Sequence, residues 1–229
     1  MKRSEVDRLI DEALAFFDKH SFKLPQWSTW TAEDWGKAGA EADEIRTHGL
    51  GWTLTDFGSG QFFNHGLLLF IIRNGLLQNG KAQTSKTYAE KAMMVRPGQE
   101  TPWHFHWMKT EDLINRGGGR LEVELGWVTE DEKGIADRPV TVQVDGISKT
   151  LKPTEKLILE PGQSVSIPPM LCHQFCGCAK DKEILVGEIS SLNDDSADNC
   201  FIHGCGARVI EEDARAKYLL LSEYARVQK

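Results

Sequence analysis

Long apolar runs are missing from this sequence. The longest, GLLLFII at residues 66–72, falls far short of the roughly 20 residues that a membrane-spanning helix needs. The first twenty residues, MKRSEVDRLIDEALAFFDKH, alternate charged with apolar side chains and lack the unbroken apolar stretch of a secretory signal. Positive charge is also in deficit. With 27 Lys and Arg against 34 Asp and Glu, the net charge of −7 argues against a nucleic-acid partner held by a general basic field, and no polybasic patch addresses a membrane. Cysteine is sparse and odd in number. Cys172, Cys176, Cys178, Cys200 and Cys205 fall late in the chain without a CxxC pair, so reduced thiols in a cytoplasmic protein are expected. No internal repeat, low-complexity tract or linker divides the chain.

What is present suits one domain of 229 residues with a proper core. Val6, Leu9, Ile10, Ala13, Phe16 and Phe17 recur at helical spacing, which predicts an amphipathic helix over residues 4–20, with Ser4 and Asp7 resembling a cap. A second helical piece is expected to start near Thr31, and Trp27, Trp30 and Trp35 read as core anchors. From about residue 50 the texture changes to short period-two segments punctuated by Pro97-Gly98, Asp145-Gly146 and Pro161-Gly162. LLLFIIR, KAMMVR, TPWHFHW, RLEVELGWV, HQFCGC and EILVGEI are among the candidate strands. VIEEDARAKYLLLSEYARV returns to helical spacing at the end. The expectation is a mainly β protein, a single domain over 1–229. It would comprise a mainly helical extension (1–49), a β-barrel core (50–205) and a C-terminal helical segment (206–229).

The chemistry concentrates in PGQETPWHFHWMKTEDLINRGGG, residues 97–119. Alternate side chains of a strand share a face, so His104 and His106 would project together about 7 Å apart. Glu111 can add an oxygen ligand from the next segment. A histidine pair alone is weak, but Gly98, His104, His106, Glu111 and Gly118 reproduce the first cupin motif, G-x5-H-x-H-x4-E-x6-G. Gly162, Pro168 and His173 then supply the second, G-x5-P-x4-H. Met170 stands where that motif has glycine, and Gly177 where it has asparagine. The chain thus resembles a metal-binding jelly-roll cupin, with His104, His106, Glu111 and His173 as ligands. A competing thiolate site around His173 is disfavoured, because Cys172 and His173 would face opposite sides of one strand. Three imidazoles and one carboxylate suit manganese, iron, nickel, cobalt or zinc, and leave coordination positions open for substrate oxygens.

A closer resemblance follows from HFHWMKTEDLINRGGG together with EADEIR, LGWTLTDFGSG, YAEK, LVGEIS and NDDSADN, in order along most of the chain. These pieces are similar to the D-lyxose isomerase family of metal-dependent cupins. The family implies an aldose–ketose isomerase of D-lyxose/D-xylulose type acting through a metal-stabilised enediol, with Mn²⁺, as a cytoplasmic homodimer. One stretch departs from the pattern: in CFIHGCGARVIEED, His203 lies near an expected acid and Arg208 near an expected arginine.

Such an isomerase needs a base beside the carbonyl carbon and cations near the oxygens. Glu188, on an apolar strand between Val186 and Ser190, is the leading base. Lys91 and Lys109 are the expected catalytic cations, and Asp194, Asp195 and Arg208 the expected sugar-binding groups. His20, His48 and His65 read as structural. The rival readings are an iron-dependent cupin dioxygenase and a noncatalytic sugar-binding cupin. Inward-facing Lys91 and Glu188 would favour a polyol over a dioxygenase substrate.

Overall fold

The period-two segments become strands of two antiparallel sheets in the computed structural model, which describes residues 1–78, 81–192, 194 and 197–226. In chain order the strands are β1 (Gly51–Thr55), β2 (Leu67–Arg73), β3 (Leu77–Gln78), β4 (Lys81–Ala82), β5 (Tyr88–Val95), β6 (His104–Phe105), β7 (Glu111–Gly118) and β8 (Leu121–Trp127). They continue with β9 (Val140–Val144), β10 (Ile147–Leu151), β11 (Lys156–Leu159), β12 (Ser164–Ile167), β13 (Leu171–Gly177), β14 (Ile184–Ser191) and β15 (Cys200–Phe201). One sheet runs β1-β2-β5-β14-β7-β12-β9-β10, the other β11-β8-β13-β6-β15, and β3 and β4 form a separate hairpin. Two such sheets packed face to face make the expected jelly roll.

The larger sheet is buried on both faces along β2, β5 and β14, and side-chain parity shows why. Leu69, Ile71, Met93, Val95, Ile184 and Val186 point into the space between the sheets. Leu68, Phe70, Ala92, Met94 and Leu185 point the other way, under helix α1 (Arg3–Lys19). That helix covers them with Val6, Leu9, Ile10, Ala13 and Phe17, its expected apolar stripe. Trp35, on α2 (Ala32–Lys37), anchors a third cluster, with the partly buried Trp27 and Trp30 packed against it. Thr31 and Asp34 form a reciprocal capping box at the start of α2.

Two local expectations need correction. Ser4 does not cap α1. The N-cap is Lys2, without a side-chain bond, and Ser4 instead uses its N–H and hydroxyl to reach Asp213 at 3.0 and 2.7 Å. Among the described residues the C-terminal segment is helical only over the 3-10 turn Leu221–Arg226. Before it the chain is an extended strap with bridges from Glu211 to Lys2, Tyr218 to Thr31 and Leu220 to Trp52. Tyr218 and Leu220 enter the α1 layer while Leu219 enters the Trp35 cluster, so burial there alternates with period two. The Asp7 carboxylate accepts the Lys217 and Tyr218 N–H groups at 3.0 and 3.2 Å, replacing intrahelical bonds. Among the described residues no helix is long and apolar enough to cross a membrane.

Candidate active site

Parity also carries charged groups into the interior. Lys91 has the same parity on β5 as Met93 and Val95, and Glu188 the same on β14 as Ile184 and Val186. The two strands pair with Glu188 opposite Lys91. Glu111 opens β7 on the other side of β14, two residues before the core residue Leu113. From the facing sheet, β6 and β13 set His104 directly opposite His173. His106 lies just past β6, so the expected strand TPWHFHW is reduced to two residues.

These elements bring His104, His106, Glu111 and His173 together, with one ligand atom from each lying within 4.8 Å of the others. His173 Nε2 is 2.7 Å from Glu111 Oε1, and His106 Nε2 is 3.5 Å from Glu111 Oε2. Separations of about 3 Å are what two ligands on one ion adopt when each bond is roughly 2.1 Å. The other ring nitrogens are held by backbone carbonyls. Nδ1 of His104, His106 and His173 lies 2.9, 2.5 and 3.1 Å from the oxygens of Pro102, Asp198 and Leu171. Those bonds fix the Nδ1–H tautomer and leave every Nε2 as a lone pair. The buried Nε2 atoms of His106 and His173 have no hydrogen-bond partner, a costly arrangement that a divalent cation would relieve. Burial lowers the His104 and His106 imidazoles below their ordinary value, which keeps them neutral as ligands require. Burial alone would raise Glu111, but the Lys109 ammonium outweighs it and holds the carboxyl well below its usual range. The four residues therefore fit a divalent metal.

Beside them stands a buried network of opposite charges. Glu188 Oε1 is 3.0 Å from Lys91 Nζ and 3.2 Å from Lys109 Nζ, and Lys109 Nζ is 2.7 Å from Glu111 Oε2. Lys109 thus joins the ligand group to Glu188. All of these side chains except His173 line one cavity of about 260 Å³, together with Thr53, Thr55, Phe57, Asn199 and Phe201. That volume lies below the 300–1,000 Å³ typical of drug-sized sites and suits a small ligand.

Not every expected site residue is here. Asp194 lines a separate cavity with His48 and Asn74, and Asp195 lies outside the described residues. Arg208 donates to the Leu54 carbonyl and is absent from the cavity lining, while His203 is exposed. The chain instead presents Cys205 and Gly206 to the cavity from that stretch. Cys172, Cys176 and Cys178 are free, and burial pushes their thiols up to about 12, 12 and 11, so none is a thiolate ligand.

Two contributors went unread in the sequence. Asn199 lines the cavity with a buried Oδ1 that has no partner among the described residues. Asp198 is buried and accepts the N–H groups of Met108 and Lys109 at 2.9 and 2.8 Å. The only sequence signal for either is the NDDSADN run itself, in which the two leading acids, Asp194 and Asp195, are the expected sugar-binding groups.

Fold and site together define a cupin with a metal-type ligand set facing a small cavity. The D-lyxose isomerase family model matches residues 1–224. The D-lyxose/D-mannose isomerase of Escherichia coli O157:H7 is 41% identical over 226 residues, covering 98% of both chains. That of Serratia proteamaculans is 39% identical over 228 residues, covering 99% of both. The chain belongs to the D-lyxose isomerase family and is a sugar isomerase. Its fold is also that of the Cellulomonas parahominis L-ribose isomerase solved with L-ribose. That likeness has a TM-score of 0.60 at 17% identity, over 92% of this chain and 98% of the other.

Proposed function

We propose that this isomerase interconverts D-lyxose and D-xylulose by proton transfer, and accepts D-mannose as the names of its relatives suggest. The observation that carries the reading is a carboxylate, Glu188, held between two buried ammonium groups beside the ligand set. Glu188 takes the proton from the hydroxyl-bearing carbon next to the sugar carbonyl and returns it to the carbonyl carbon, while the proton of that hydroxyl passes to the former carbonyl oxygen, so no redox partner is consumed. Lys91 and Lys109 stabilise the negative charge that develops on the sugar oxygens during the transfer. The unpartnered Asn199 Oδ1 accepts a sugar hydroxyl. When bound by His104, His106, Glu111 and His173, a divalent cation supplies a Lewis acid for the carbonyl and its adjacent hydroxyl. Manganese, a homodimer and a cytoplasmic location are carried over from the family resemblance.

The test is a screen of pentoses and hexoses with Mn²⁺-loaded protein in deuterated water. Ketose formation with deuterium at the transferred carbon is expected, and His173→Ala should lose both metal and turnover. Conversion without deuterium would favour a hydride shift. Metal-dependent oxygen uptake with no sugar converted would sink the isomerase mechanism.

A further inference from the structure

Asp198 sits on the segment between β14 and β15, and it uses all of its oxygens on one short stretch of chain. Its carboxylate accepts from the N–H groups of Met108 (2.9 Å) and Lys109 (2.8 Å), and its carbonyl faces His106 Nδ1 at 2.5 Å. The carboxylate is buried and already committed to backbone donors, and Asp198 does not line the cavity, so it serves neither as base nor as ligand. What it grips matters. His106 belongs to the ligand group, and Lys109 is the cation that touches both Glu111 and Glu188. Between them Trp107 and Met108 are 39% and 56% exposed, and besides Asp198 the stretch is held by the Met170 N–H on the His106 carbonyl and by Trp107 against Phe105 and Glu132.

We propose that Asp198 is a positioning residue that sets the metal-ligating imidazole of His106 and the ammonium of Lys109 in one register. The carboxylate pins its own segment to the Met108 and Lys109 backbone, and that anchoring seats the Asp198 carbonyl against His106 Nδ1, so the aim of the ligand group and the placement of the cation beside the base share one residue of a distant segment. This builds on the proposed mechanism only for its effect on turnover, since its effect on the ligand group stands apart from any sugar.

The experiment compares full-length wild type, D198N and D198A by Co²⁺ titration, the visible spectrum of the Co²⁺ form, thermal melting, and kcat and KM at saturating Mn²⁺. Groups that support metal ligands typically contribute about 10–100-fold to affinity. D198A is expected to lose Co²⁺ affinity in that range, to shift the Co²⁺ spectrum, and to lose kcat by a larger factor than it raises KM. D198N, whose single amide oxygen replaces two acceptors, should fall between D198A and wild type. If D198A fails to melt cooperatively, D198N decides alone. Wild-type Co²⁺ affinity and spectrum with kcat within twofold would overturn the proposal. So would loss of the cooperative melt in both variants, which would assign Asp198 a general structural role. If wild type turns over no sugar while the Co²⁺ readouts still change, the isomerase mechanism fails and the positioning role stands.

Discussion

Replacing Glu188 with glutamine keeps the shape of the side chain and removes its basicity, which makes it the most direct perturbation of the proposed proton transfer. The amide oxygen can still accept from Lys91 and Lys109, which lie 3.0 and 3.2 Å from Oε1 in the native arrangement. Lys109 also keeps its 2.7 Å contact with Glu111, so it is not left without an anion. Lys91 loses one charged partner across the β5–β14 pair, and that loss should appear as reduced stability rather than collapse. The metal-type group excludes Glu188, so Mn²⁺ affinity should hold within a few-fold. A positioned general base contributes about 10²–10⁴-fold to rate, equivalent to roughly 3–5 kcal/mol of barrier. Glu188→Gln should therefore lower kcat by that factor with little change in KM, measured as ketose formation by Mn²⁺-loaded protein. Exchange of solvent deuterium into the sugar should slow in parallel. A folded, metal-loaded variant that keeps more than a tenth of wild-type kcat would refute the assignment of Glu188 as the base.

Acid should destabilise the metal-free protein. Burial holds His104 and His106 below their ordinary value of 6.5, so the unfolded chain binds more protons as pH falls through that value. Glu111, held below its ordinary 4.5, adds stability that is present above that value and lost as pH falls through its folded one. The urea midpoint should fall progressively below about pH 6.5, and a flat midpoint from pH 7.5 to 5 would contradict this. At the other end of the molecule Arg3 is fully buried and joins α1 to the C-terminal strap through Glu212, at 2.9 Å, and to the 3-10 turn that follows it through Glu223. Arg3→Ala removes a fully buried cation that pairs with buried Glu223 and should cost about 3–5 kcal/mol in denaturant unfolding, with activity per folded molecule unchanged.

The ligand set and the inward charges were legible because both depend on local spacing. His104, His106 and Glu111 fall within one motif, and Lys91 and Glu188 show themselves as charged residues at core parity in apolar strands. Asp198 was not legible. Its partners are backbone N–H groups about ninety positions earlier, and a backbone donor carries no residue signature. The strap was misread because LLL at 219–221 fits a helical stripe as well as an alternating one. Only the two clusters that receive Leu219 and Leu220 from opposite sides decide between them.

The two departures from the second cupin motif resolve differently, and the difference shows what the site tolerates. Met170 stands in place of glycine yet keeps a left-handed backbone with φ of 64°, its N–H bonded to the His106 carbonyl at 2.8 Å. A non-glycine residue there costs about 1–2 kcal/mol, so the chain has preserved the turn that backs His106 and accepted strain to do it. Gly177 takes the place of asparagine for a steric reason. A Cβ there would lie 2.5 Å from the Arg96 carbonyl oxygen, in the stretch where Gly98 N–H bonds the Gly177 carbonyl at 2.8 Å. That close approach ties the start of the first motif to the end of the second. The departures therefore alter side chains around the site while the backbone contacts that hold His104, His106 and His173 together remain in place.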